Sequence, residues 1–139
     1  MSLRAVGTSL VLLLVPVVAG AQEPAKKPPL VIESMAGKDL FLFYCGSCHG
    51  SDAKGRGPVA SALKSPPADL TTIAMRSGGV FPRARITAFV SKGDAQVAAH
   101  GTPDMPVWGP IFTGLDPSDA RTKVRIENLV AYVESLQVR

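Results

Sequence analysis

The five residues Cys45-Gly46-Ser47-Cys48-His49 constrain this chain more than any other feature. They bring two thiols and an imidazole within little more than one helical turn. A disulfide between the two cysteines would close a very small loop and remove little unfolded-chain entropy. A redox-active dithiol of this spacing normally follows a strand in a thioredoxin-like unit, and no strand pattern precedes Cys45. A zinc site would need His49 and His100 with both thiolates, yet adjacent Cys48 and His49 are badly placed to share one tetrahedral ion. The C-x-x-C-H form instead matches covalent haem attachment. At a helix end, two thiols can add across the two vinyl groups on one edge of the ring. His49 then lies beneath it, where an imidazole nitrogen reaches the iron. Gly46 and Ser47 are small and leave the approach open.

Iron held by one histidine needs either an open distal position or a second protein ligand. Met105 is the favoured candidate, in Thr102-Pro103-Asp104-Met105-Pro106-Val107-Trp108-Gly109. Methionine is usually core filler, but a position between prolines in a polar stretch is a poor place for filler. The flanking prolines restrict the backbone that would present the thioether. Met1 lies at the N-terminus, Met35 at the domain's edge and Met75 on a short middle helix. His100 is the competitor and would give a bis-histidine site.

The rest of the chain suits a fold built around a cofactor. Its 139 residues are enough for one compact domain. Aromatics are only 6%, thin for a self-sufficient core, while 13 Gly and 12 Pro predict many turns and short helices. The net charge of +4 is mild, and no dense Lys/Arg block is interleaved with aromatics, which argues against nucleic-acid binding. Ser34 marks the start of a helix reaching Cys45, and residues 59–64 suit one or two helical turns. Asp69 caps a short helix through Arg76, ended by Gly78-Gly79. Pro82 opens a helix to Lys92. Residues 101–115 hold three prolines and three glycines and are expected as irregular loop. After Asp116-Pro117-Ser118, the recurrence of Ile126, Leu129, Val130, Val133 and Leu136 defines one helical stripe. No period-two alternation demands a sheet, so the fold class is all-α.

The N-terminus has the form of a secretory signal over residues 1–21. Arg4 supplies the positive region, residues 10–18 are apolar apart from Pro16, and Ala19-Gly20-Ala21 is a small-residue cleavage site. No cysteine follows that would take a lipid. The alternative is an uncleaved anchor, although the apolar stretch is near the lower limit of roughly 17–20 residues for a span. Residues 22–33, with Pro24, Pro28, Pro29 and two lysines, form a Pro-rich linker. The domain is then 34–139, exported to the periplasm or beyond, with no membrane span expected in its mature form.

Three segments resemble the class I, monohaem c-type cytochromes of bacterial type across 34–139. They are Gly37-Lys38-Asp39-Leu40-Phe41 leading into Tyr44-Cys45-Gly46-Ser47-Cys48-His49-Gly50, then Asp104-Met105-Pro106-Val107-Trp108-Gly109, and Leu129-Val130-Ala131-Tyr132-Val133-Glu134-Ser135-Leu136. The resemblance implies the cytochrome c fold, short helices and long loops around one covalent haem c. In it, Gly37 and Phe41 on the first helix would meet Leu129 and Tyr132 on the last. It also implies that the Pro58 carbonyl accepts a hydrogen bond from the axial imidazole; otherwise Pro58 is a turn proline. Trp108 would shield the haem and donate its indole N–H to a propionate, or else serve as a core aromatic. The segment 51–57 and the stretch Pro66-Pro67-Ala68-Asp69-Leu70 fit bacterial rather than mitochondrial members, and no lysine ring stands out. The implied function is one-electron transfer between transiently docking redox proteins, not enzymatic catalysis. The alternatives are a haem subunit held in a dehydrogenase or oxidase complex, and a haem sensor or enzyme with an open distal site.

Overall fold

A computed structural model of the chain describes residues 32–92, 105–116 and 118–138. The expected signal and most of the expected linker, 1–31, lie outside the described residues, as does His100. Every regular element among the described residues is helical. In chain order these are α1 (Gly37–Tyr44), α2 (Gly46–His49), 3-10 turns at Ala60–Ala62 and Leu70–Thr72, α3 (Ile73–Arg76), α4 (Arg83–Lys92), α5 (Trp108–Leu115) and α6 (Asp119–Ser135). The all-α fold expected from the periodicity is the fold observed.

The crossing of α1 on α6 organises the molecule. On α6, Ile126, Leu129, Val130 and Val133 are buried, and Leu40 and Phe41 of α1 are buried with them. At Gly37 the backbones come so close that a Cβ would stand 2.1 Å from the Asn128 carbonyl oxygen. Only glycine fits there. One turn later, the Phe41 and Tyr132 rings lie 5.5 Å apart. Both contacts were expected from the resemblance. Asn128 adds a tie by donating its Nδ2 to the Met35 carbonyl at 2.8 Å.

Helix boundaries follow the local chemistry. The α1 helix begins at Gly37, later than Ser34 suggested. The Ser34 hydroxyl accepts from the Ala36 N–H and donates to Asp39, so it braces the approach and does not cap the helix. Asp69 accepts from Thr71 N at 2.8 Å and opens the 3-10 turn that leads into α3. Ser118 accepts from Arg121 N and caps α6. The expectation of irregular loop fails at Trp108–Leu115, which is helical. Pro110 is its third residue, and a first-turn position needs no N–H donor. Gly109 lets α5 approach α4, since a Cβ there would stand 2.2 Å from the Ser91 carbonyl oxygen.

A buried ion pair joins α6 to the end of α5. Arg125 is wholly buried, with Nη1 3.0 Å from Asp116 Oδ2, and Arg121 Nε approaches the same oxygen at 3.0 Å. The Arg125 guanidinium nitrogens make no hydrogen bond among the described residues, so the group is held chiefly by charge. Arg83 on α4 pairs with Glu134 on α6. Among the described residues, no helix is long and apolar enough to cross a membrane.

Candidate cofactor site

The motif sits where α1 gives way to α2. Cys45 is the hinge residue, with its N–H still bonded to the Phe41 carbonyl and its own carbonyl accepting from His49 N at 2.9 Å. This tight turn carries Cys45 and His49 on one wall while Ser47 stays exposed. Cys45 and Cys48 are both free thiols. Burial, with the neighbouring Cys48 adding to it, pushes the Cys45 thiol up to about 12. It is therefore a neutral group set into apolar surroundings.

His49 is buried, and its Nδ1 lies 3.0 Å from the Ala68 carbonyl oxygen. A carbonyl can only accept, so Nδ1 carries the proton and Nε2 keeps its lone pair. Burial lowers the imidazole's pKa, with the Ala68 bond partly opposing the shift. The result is a neutral ring of fixed tautomer, the form that binds metal. Pro58 does not play the orienting role expected of it. That residue is exposed, and the N–H groups on either side of it run back to the α2 region, Gly57 to the Cys48 carbonyl and Val59 to that of Ser47. The acceptor is a backbone oxygen ten residues later, in the turn after Pro66-Pro67.

Cys45, His49, Met105 and Trp108 line one cavity of about 430 Å³. That lies within the roughly 300–1,000 Å³ typical of cofactor pockets. Most of the remaining wall is apolar, including Phe41, Ile73, Ile86, Phe89, Val90, Leu129 and Val133. Met105 is partly buried and packs against the core. Trp108 stacks on Phe112 at 5.5 Å and meets Tyr44 edge-on at 5.4 Å, which ties the cavity wall to α1 and α5. Cys48 is half-buried on the same short helix. A flat apolar macrocycle bearing a metal fits these walls: thiol and imidazole come from one segment, a thioether from another, and hydrocarbon from most of the rest. Composition alone did not reveal the contributions of Ala68, Phe89 and Arg85. Ala68 acts through its backbone, and the other two come from a helix with little apolar periodicity.

An apolar cavity lined by Cys45 and a ligand-ready imidazole, with Cys48 on the same short helix, fits a haem-binding protein of the cytochrome type. The chain is 31% identical over 107 residues to cytochrome c-554(547) of Halothiobacillus neapolitanus, across 76% of this chain and 98% of that protein. This chain belongs to the c-type cytochromes. Membership carries with it covalently bound haem c and a role in electron transport. No family model matches the chain, and no solved structure does.

Proposed function

We propose that this protein carries one electron at a time on a single haem c. In this reading the haem is bonded through Cys45 and Cys48, ligated by His49 and Met105, and works outside the cytoplasm. The observation that carries the reading is that His49 and Met105, far apart in sequence, line the same cavity as Cys45. When bound, haem supplies reversible exchange between Fe(III) and Fe(II). The chain's own residues do the rest. His49 presents Nε2 because the Ala68 carbonyl occupies Nδ1–H. Met105 offers a soft thioether, which favours reduced iron more than a second imidazole would. The apolar wall of α4 and α6 keeps water from the ring, acting in the same direction. Trp108 contributes a ring face and an indole N–H at the cavity wall. Keeping both ligands in the two oxidation states limits reorganisation on transfer. Redox partners dock over a small area and leave quickly. Residues 1–21 direct export and 22–33 tether the domain.

The ligand assignment is tested on oxidised holoprotein by the weak near-infrared band of sulfur-ligated ferric haem. The wild-type chain should show the band. Met105→Ala should lose it and titrate at a lower reduction potential. A wild-type protein with covalent haem and no band would remove Met105 from the iron.

A further inference from the structure

Four residues that line the cavity are also exposed and so form its mouth: Ala68, Arg76, Ser77 and Arg85. Three of them are polar, and two are cations. No carboxylate lines the cavity among the described residues. A cavity otherwise lined by hydrocarbon, thiol, thioether, imidazole and indole therefore opens between two guanidinium groups.

The two arginines are held differently. Arg76, at the end of α3, donates Nη2 to the Asp69 carbonyl at 2.7 Å and Nε to the Thr72 carbonyl at 3.4 Å. Both acceptors are backbone oxygens that position the guanidinium, and its charge is balanced only in part by the Asp69 carboxylate, whose pKa it helps to lower. The Asp69 carboxylate nearby is engaged by Thr71, through both its N–H and its hydroxyl. Arg85 lies in the first turn of α4. Its neighbour Arg83 is paired with Glu134, whereas Arg85 has no ion pair among the described residues. A free cation at an apolar cavity's mouth is matched by an amphipathic ligand with an anionic edge. Haem has this form, with two propionates on one side of the macrocycle, and arginine's planar fork suits carboxylates.

We infer that Arg76 and Arg85 bind the haem propionates, with the propionate edge of the ring at the mouth between α3 and α4. This rests on the haem reading of the same cavity. The two guanidinium groups keep the propionates ionised to lower pH. They also favour the iron state of lower positive charge and so raise the reduction potential. Asp69 and Lys54 on the α3 side, and Arg83 and Glu134 on the α4 side, are the other charges nearby.

The test is a spectroelectrochemical titration of mature holoprotein from mildly acid to alkaline pH at low salt. It compares wild type with Arg85→Gln, Arg76→Gln, Arg85→Lys and the control Arg83→Gln. Covalent haem content is measured on each sample. The Arg85→Gln and Arg76→Gln proteins should have lower potentials, with the pH-dependent step moved to higher pH. The Arg85→Lys protein should recover part of both effects, and Arg83→Gln should leave the step where it is in wild type. If Arg76→Gln fails to fold for want of its backbone bonds, Arg85→Gln decides, because the Arg85 side chain makes none among the described residues. Full haem content with a step no more displaced than in Arg83→Gln overturns the propionate assignment alone. A wild-type chain without haem overturns the haem reading and this inference together.

Discussion

The Nδ1 of His49 lies 3.0 Å from the carbonyl oxygen of Ala68, 19 residues further along the chain. The intervening segment folds back to make this contact. Gly55 is central to that return: its N–H donates to the His49 carbonyl at 2.8 Å, and its φ of +76° is a conformation that favours glycine. A Cβ on Gly55 would stand 2.1 Å from the Pro67 carbonyl oxygen, directly before Ala68. Gly55→Ala should therefore destabilise the protein by about 1–3 kcal/mol through backbone strain and displacement. It should also loosen the hydrogen bond that makes His49 a stronger donor, which raises the reduction potential. Denaturant unfolding and a redox titration on the same sample check the two effects.

Close approach at Gly37 yields a second prediction. Its added Cβ would meet the Asn128 carbonyl at 2.1 Å and the Tyr132 Cβ at 2.8 Å. Neither belongs to the far end of a flexible side chain, so α1 and α6 must separate. Gly37→Ala should cost about 1–3 kcal/mol in urea unfolding, and the Phe41 and Tyr132 rings should move apart.

The Asp116–Arg125 pair makes stability depend on acid. The Ser118 N–H bond, followed by the two arginines, holds the Asp116 carboxyl below its ordinary 3.8. A group lowered on folding contributes fully above its unfolded pKa, and that contribution disappears as pH falls through the folded value. Asp52 and Asp69 are lowered in the same direction by their own hydrogen bonds. Melting temperature should fall as pH drops below about 4, and Asp116→Asn should flatten that fall. Asp116→Ala should be more damaging than Arg125→Met, because it leaves a wholly buried guanidinium without its counter-charge.

What was legible in the sequence was mostly local. The motif, the caps at Asp69 and Ser118, and the stripe on α6 each sit within a few residues, and each is where the pattern put it. The meeting of Gly37 and Phe41 with α6 was reached by resemblance and is borne out by the backbone approach. The acceptor for His49 was misassigned to Pro58 because the real one is a main-chain carbonyl, which no residue type announces. The prolines and glycines across 101–115 hide helix α5 in the sequence, while Pro110 occupies a turn that tolerates it. Arg85 stayed unremarked because its significance comes from a cavity that only the packing of α3 and α4 creates.

The mass of the mature holoprotein, compared with its peptide mass, tests the central claim most directly. A chain with haem bonded through Cys45 and Cys48 should carry the added mass of one haem through denaturation, and Cys45→Ala with Cys48→Ala should lose it. A correctly matured chain with the bare peptide mass, its two thiols free or joined to each other, would contradict the account.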